Sequence, residues 1–297
     1  MSKRKHTISL VLGSGGARGH AHVGVIRALE ERGLDIRYIS GTSMGAVIGG
    51  IYAAGKLDAY FEWARQLEKT DVMRLLDFSF TLTSLFKGER IIEVLKELVG
   101  DRQIEDLYIG YTAVATALEE QREIWLNKGS LFTAMKASTA VPAMFSPVYI
   151  DGRLLVDGGL VNPVPIAPTL NHSADFIVAV NLNGWPEQPG PAQVAAEPNN
   201  ADEKESRGYR AAISKYVSNL LKDHEHDDSR RDAVDLIMQS IEVMQGGIAR
   251  LKLAAYSPDI VIEIPRNACS FFEFYRAEEM ADIGYARARK VLDQQLD

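Results

Sequence analysis

Two glycine-rich turns near the N-terminus constrain the fold of this chain more than any other feature. The first covers residues 13–19 (GSGGARG) and the second covers residues 41–45 (GTSMG). An apolar, β-rich run precedes each turn and a helical pattern follows it. Two successive strand–turn–helix units predict a parallel sheet with right-handed crossovers, in which both turns lie at the carboxyl ends of the strands.

The second turn fits G-x-S-x-G, the pattern of a nucleophile elbow, with Ser43 between Gly41 and Gly45. So sharp a turn tolerates little besides glycine at the two flanking positions. The dipole of the following helix favours negative charge beside the serine. The pattern also arises by chance, and in an ordinary strand-to-helix turn the serine would only cap the helix. The motif alone leaves both interpretations open.

The first turn predicts a group of backbone N–H donors at a helix N-terminus, which suits an oxyanion or a phosphate. The expected donors are those of Gly15, Gly16, Ala17 and Arg18. Dinucleotide binding is an alternative, because Gly13-x-Gly15 and a later Asp35 fit its fingerprint, but an arginine stands at the third glycine position. A Walker loop is excluded because no Gly-Lys-Ser/Thr follows.

A third motif, Asp157-Gly158-Gly159, follows an apolar strand far downstream and precedes Asn162-Pro163. Together with the two turns it resembles the patatin-like phospholipase family, and more narrowly the bacterial patatin-like proteins of RssA type, over almost the full chain. Shorter matches at residues 88–90 (GER) and 136–142 (KASTAVP) agree with this resemblance.

The resemblance implies a three-layer α/β/α fold with a central, mostly parallel sheet. It also implies a catalytic dyad without histidine, in which Ser43 is the nucleophile and Asp157 is the general base that accepts its proton. The implied reaction is hydrolysis of phospholipids, lysophospholipids or simple fatty-acyl esters, with no metal and no organic cofactor. The acyl length and the headgroup stay open.

One position departs from the family's usual Gly-Gly-Gly-x-Arg-Gly, because Ser14 occupies the first glycine. A serine is compatible with a donor site built from main-chain N–H groups if its φ angle is ordinary. Ser14 therefore bears on efficiency and on acyl-group size. It is also the residue that favours an alternative, a non-catalytic or weakly active member that binds a lipid or a protein. An acyltransferase shares the first half-reaction and is a further alternative.

A conventional Ser-Asp-His triad is the weaker enzyme hypothesis. Its histidine would have to be His172, His224 or His226, and the elbow follows too few strands for an α/β-hydrolase. The two later histidines stand in an acidic run with plausible metal ligands, but a solvated linker explains that run better.

Composition excludes several classes of protein. A net charge of −7 and a pI near 5.5 disagree with general nucleic-acid binding. The single cysteine, Cys269, excludes intramolecular disulfides and suits a reducing compartment. The sequence shows neither a signal-peptide pattern nor a run of about 18 uncharged apolar residues. We therefore expect a cytoplasmic protein, with peripheral contact at the inner face of the membrane as an additional expectation and the oligomeric state open.

We expect one domain over residues 1–297. Its core would be 7–183, followed by a mobile, proline-rich insertion at about 184–230 with a helical pattern at 209–222. A C-terminal helix–strand–helix at 231–297 would complete the domain. Residues 57–100 predict helices, interrupted at 78–86 by an irregular aromatic stretch that belongs either to the core or to a lid.

Overall fold

The computed structural model describes residues 6–76, 78–81, 84–86, 88–187 and 233–296. The expected insertion after residue 187, its helical pattern at 209–222, and His224 and His226 lie outside these residues. The chain divides into one unit of residues 1–186 and 245–297 and a second unit of residues 187–244. A single domain over the whole chain stays a prediction.

The strands form one large and one small sheet. They are β1 (Thr7–Leu12), β2 (Asp35–Thr42), β3 (Phe78–Thr81), β4 (Ser84–Phe86), β5 (Gly110–Ala117), β6 (Arg122–Leu126), β7 (Ala143–Phe145), β8 (Val148–Ile150), β9 (Arg153–Asp157), β10 (Phe176–Gly184) and β11 (Ile260–Pro265). The large sheet has the order β11-β10-β1-β2-β5-β9-β8, with β6 also paired to β5. Its first five strands are parallel, whereas β6, β8 and β9 pair antiparallel.

The helices are α1 (Ala21–Glu31), α2 (Met44–Ala53), α3 (Leu57–Ala64), α4 (Lys69–Leu75), α5 (Glu89–Val99), α6 (Leu131–Ser138), α7 (Ala233–Tyr256) and α8 (Ala277–Gln295). Short 3₁₀ helices include Gly16–His20, Gly158–Leu160 and Phe274–Arg276. In the second unit, the described part is mainly the beginning of α7. None of the described helices is long and apolar enough to cross a membrane.

The central strands are covered on both faces, which makes the fold three-layered. Leu10 and Leu12 of β1 belong to the main core, together with apolar side chains of α1, α2 and α8. Val11 points to the opposite face and packs in a second cluster with Ala179 and with Ala249 of α7. Burial on both faces explains why these strands are apolar at successive positions, as expected of a parallel sheet. The expected mostly parallel α/β/α architecture is confirmed.

One local expectation was wrong. The stretch that was expected to be irregular contains the antiparallel strands β3 and β4, and β4 pairs in parallel with the distant β7. A partner so far along the chain leaves no periodic signal in the local sequence. The last helix of the expected C-terminal helix–strand–helix begins at Ala277, directly after the short 3₁₀ helix Phe274–Arg276.

Candidate active site

Ser43 occupies a strained turn between β2 and α2. Its backbone angles are φ 55° and ψ −124°, and its side chain is buried. A β-carbon on Gly41 would lie 2.5 Å from the carbonyl oxygen of Gly45, and one on Gly45 would overlap the carbonyl oxygen of Leu12. A positive φ at a non-glycine residue is unfavourable unless the surroundings enforce it. The two flanking glycines let helix and strands approach closely enough to enforce it here.

Ser138, which the sequence analysis did not select, supports this turn. The backbone N–H of Ser43 donates to Ser138 Oγ at 2.9 Å, and the Ser138 hydroxyl donates to the carbonyl oxygen of Val114 at 2.6 Å. The match at residues 136–142 was the only sequence signal for this residue. Its position at the end of α6 links that helix to the elbow.

The sheet brings Asp157 to the same place. Thr42 pairs with Val114 across β2 and β5, and the next residue of β5, Ala115, pairs with Asp157 of β9. This register places the end of β9 one strand away from the elbow. Pairing within the sheet therefore brings together Ser43 and Asp157, which are far apart along the chain.

The Asp157 carboxyl is buried and only partly paired. Oδ1 accepts the N–H of Gly159 at 2.7 Å, whereas Oδ2 has no partner in normal hydrogen-bond geometry among the described residues. Burial is the largest influence and raises the pKa of Asp157 to about 6, while the Ser43 side chain and the Gly159 N–H lower it. The Ser43 side chain is therefore near enough to affect the pKa of the carboxyl, although it makes no hydrogen bond of normal geometry to Oδ2. Such contacts often tighten only when substrate binds.

The glycine-rich turn offers fewer free donors than the sequence suggested. Ala17 N–H donates to the carbonyl oxygen of Phe271 at 2.9 Å. Arg18 is the third residue of a 3₁₀ helix, so the i→i+3 pattern uses its N–H. These two backbone donors are thus occupied, contrary to expectation. The N–H groups of Gly15 and Gly16 make no hydrogen bond to any described residue.

The Arg18 side chain braces this turn from inside the protein. It is 2% exposed, Nε donates to the carbonyl oxygen of Gly15 at 3.2 Å, and Nη1 donates to that of Arg266. A guanidinium held by backbone carbonyls in this way steadies the loop.

Ser14 fits the turn without backbone strain, since its φ is not positive. Its hydroxyl donates to Gln245 Oε1 at 3.3 Å, and Asn183 Nδ2 donates to its carbonyl oxygen at 3.2 Å. A β-carbon on Gly159 would lie 2.6 Å from Gln245 Nε2 and 2.8 Å from Ser14 Oγ. The glycine-rich turn and the Asp-Gly-Gly turn are therefore in close contact, and a larger residue at position 159 would displace the Gln245 and Ser14 side chains. Gly158 is as tightly placed, against the backbone of Val114.

A cavity of about 120 Å³ adjoins Ser43. Its wall is mostly apolar and includes Met44, Val47, Leu76, Ile91, Leu95 and Phe274. An apolar cavity with few polar groups suits a hydrocarbon ligand.

The described histidines do not complete a triad. His20 contacts the Tyr60 hydroxyl and His22 the carbonyl oxygen of Gly13, and burial lowers the pKa of each to about 4. His172 stacks on Tyr38 near the start of β2, with ring centroids 3.4 Å apart. At about 3.3 Å per residue, that position is roughly 16 Å along the strand from Ser43. None of the three contacts Asp157, and the described residues contain no cluster of three or more metal-binding side chains.

Comparison with known proteins gives a consistent result. Residues 10–170 match the sequence profile of the family described as patatin-like phospholipase. An uncharacterized NTE family protein of Mycobacterium bovis is 38% identical over 331 aligned positions, which cover 96% of this chain and 91% of that protein. Patatin-like phospholipase domain-containing protein 6 of Homo sapiens is 34% identical over 190 positions, covering 61% of this chain but 14% of that protein.

A solved structure extends the likeness to the fold. The crystal structure of VipD from Legionella pneumophila superposes with a TM-score of 0.57 at 15% identity, covering 98% of this chain and 67% of the other.

Proposed function

The chain belongs to the patatin-like phospholipase family, and on that premise we propose that it is a serine acyl-ester hydrolase of lipids with a Ser43–Asp157 dyad. One observation carries the proposal. A serine held in a strained elbow lies beside a buried carboxyl, at the wall of an apolar cavity, and one oxygen of that carboxyl has no hydrogen-bond partner among the described residues. The substrates we propose are phospholipids, lysophospholipids or fatty-acyl esters, met at a membrane surface.

In the first step, Asp157 Oδ2 accepts the Ser43 proton while Ser43 Oγ forms a bond to the ester carbonyl carbon. The unpartnered state of Oδ2 suits this role, since no other donor competes for it among the described residues. Its raised pKa makes the carboxylate a stronger base than an exposed aspartate.

The tetrahedral intermediate carries negative charge on the former carbonyl oxygen. The free N–H groups of Gly15 and Gly16 are our proposed oxyanion donors, at the N-terminus of the 3₁₀ helix. Arg18 contributes by holding the Gly15 carbonyl, which keeps the peptide plane fixed.

Collapse of the intermediate breaks the ester bond, and the alcohol leaves with the proton from Asp157. A water molecule then gives a proton to Asp157 while its oxygen bonds to the acyl carbon. The bond between that carbon and Ser43 Oγ breaks, Ser43 Oγ takes the proton back from Asp157, and the fatty acid is released. The apolar cavity would hold the acyl chain during both steps.

Ser14 no longer favours the non-catalytic alternative. It adopts an ordinary φ, and its hydroxyl and carbonyl oxygen are both hydrogen-bonded, so the glycine-rich turn is supported rather than distorted.

The proposal is tested by hydrolysis of p-nitrophenyl butyrate and p-nitrophenyl palmitate, and by labelling with a fluorophosphonate probe. We expect activity in the wild type, loss of both activity and label in Ser43→Ala, and loss of activity in Asp157→Asn. His172→Ala is the matched control and should retain activity. Full activity in Ser43→Ala, or its loss in His172→Ala, would overturn the dyad.

A further inference from the structure

The cavity beside Ser43 carries one permanent charge among its described lining residues, the ammonium group of Lys136. His20 also lines the cavity, but its low pKa keeps it neutral. The Lys136 side chain is 32% exposed. The Lys136 side chain is therefore partly open to solvent, and most of the other described lining residues are apolar.

The Lys136 ammonium makes no hydrogen bond to any described residue. Its nearest acidic partner is Glu89 Oε1 at 3.9 Å, and the Glu89 side chain is 61% exposed. That distance is too long for a hydrogen bond, and an exposed ion pair of this kind contributes little. The ammonium can therefore donate hydrogen bonds to a ligand, and the loss of its weak ion pair with Glu89 would cost little free energy.

Lys136 and Ser43 line the same cavity. Lys136 stands two residues before Ser138 on α6, so the two side chains leave that helix on different faces: Ser138 bonds the N–H of Ser43, and Lys136 faces Glu89 at the start of α5. Thr139, one turn after Lys136, and Ser146 are polar residues of the same wall. An ester bound at Ser43 with its chain in the cavity would have its alcohol side near this polar group.

We infer that Lys136 binds the anionic phosphate of the substrate headgroup, so that the enzyme prefers phosphate-bearing acyl esters over neutral ones. This inference rests on the proposed function, because it assigns the headgroup of the same substrate. The ammonium would form a charge-assisted hydrogen bond to the phosphate, and apolar side chains would hold the acyl chain. The partly exposed position of Lys136 leaves the rest of the headgroup in water.

The test measures binding in a Ser43→Ala background, which cannot turn over substrate. The ligands are 1-oleoyl lysophosphatidate and 1-monooleoylglycerol, which share an acyl chain and differ in the phosphate. Lys136→Met should weaken lysophosphatidate binding about tenfold or more and change monooleoylglycerol binding less than about twofold. Lys136→Arg should retain the preference. Lys128→Met removes an exposed lysine outside the cavity wall and should change neither affinity.

Equal losses for both ligands in Lys136→Met, or no loss for either, would overturn the inference. Inorganic phosphate that binds as tightly as lysophosphatidate would also overturn it, because it would show a free-phosphate site rather than a headgroup site. The binding result is independent of catalysis. A wild type that hydrolyses no ester would count against the proposed function. The headgroup preference is tested by the binding measurements alone.

Discussion

The side-chain oxygen of Ser138 accepts a hydrogen bond from the backbone N–H of Ser43 at 2.9 Å. Ser138 ends helix α6, which follows strands β5 and β6 along the chain. The same hydroxyl donates to Val114 on β5. Both serines are buried, so water cannot replace either bond. The strained elbow is therefore held by one side chain that connects α6, the sheet and the proposed nucleophile.

Replacing Ser138 with alanine should reduce both stability and turnover. The Ser43 N–H and the Val114 carbonyl would be left unpaired in the interior, a loss of about 1–3 kcal/mol in the free energy of unfolding. We expect kcat to fall about tenfold or more, since the elbow would lose its support. Urea denaturation and ester hydrolysis measure the two effects.

Ser130→Ala is the matched control for that experiment. Ser130 caps the same helix by accepting the N–H of Thr133 at 3.3 Å. Its loss should lower stability by about 1 kcal/mol without a change in kcat. If Ser138→Ala kept full kcat, the elbow would not depend on this hydrogen bond.

The pH dependence of hydrolysis follows from the proposed base. Asp157 must be ionised to accept the serine proton, and burial raises its pKa to about 6. We therefore expect kcat/KM to rise with pH through a midpoint near 6 and then to level off. Stopped assays from pH 4.5 to 8 would measure this. Unchanged kcat/KM down to pH 4.5 would show that Asp157 is not the titrating base.

The same pKa shift means that ionised Asp157 lowers the free energy of unfolding. The native pKa of about 6 lies above the ordinary value of 3.8, so the folded protein binds the proton more tightly than the unfolded chain does. The stability of the wild type should fall as pH rises from about 4 to 6 and then stay low.

Asp157→Asn removes this penalty while it keeps the shape of the side chain. The variant should be more stable than the wild type at pH 8, by up to about 3 kcal/mol, and the difference should shrink near pH 4. Urea denaturation at the two pH values measures it. A variant less stable than the wild type at pH 8 would contradict the buried, poorly paired carboxylate.

Gly45→Ala should abolish activity and strongly destabilise the fold. A β-carbon there would overlap the carbonyl oxygen of Leu12 and lie 2.7 Å from that of Gly13, both of them backbone atoms that cannot move aside. Gly247→Ala is the control, since no atom of the described part of the chain lies within 4 Å of its added β-carbon. In helix α7 this alanine should be neutral or stabilising by about 0.5–1 kcal/mol. Soluble yield, thermal denaturation and hydrolysis distinguish the two variants.

The two strand–turn–helix units could be predicted from the sequence because their signals are local. The apolar runs before the two turns form β1 and β2 as expected, and the steric demand for glycine at positions 41 and 45 acts within a single turn. The small sheet of β3, β4 and β7 could not be predicted, because its pairing joins segments far apart in sequence.

The sequence alone therefore determined the α/β class, the position of the elbow and the identity of the motif residues, since short-range sterics and hydrophobic periodicity specify them. Only the tertiary structure decided which groups are free to react. Phe271 accepts the Ala17 N–H, Ser138 accepts the Ser43 N–H, and Asp157 Oδ2 has no hydrogen-bond partner among the described residues. Each outcome depends on the distant segment that packs against the turn. The hydrogen-bonding groups of that segment cannot be predicted from the local sequence of the turn.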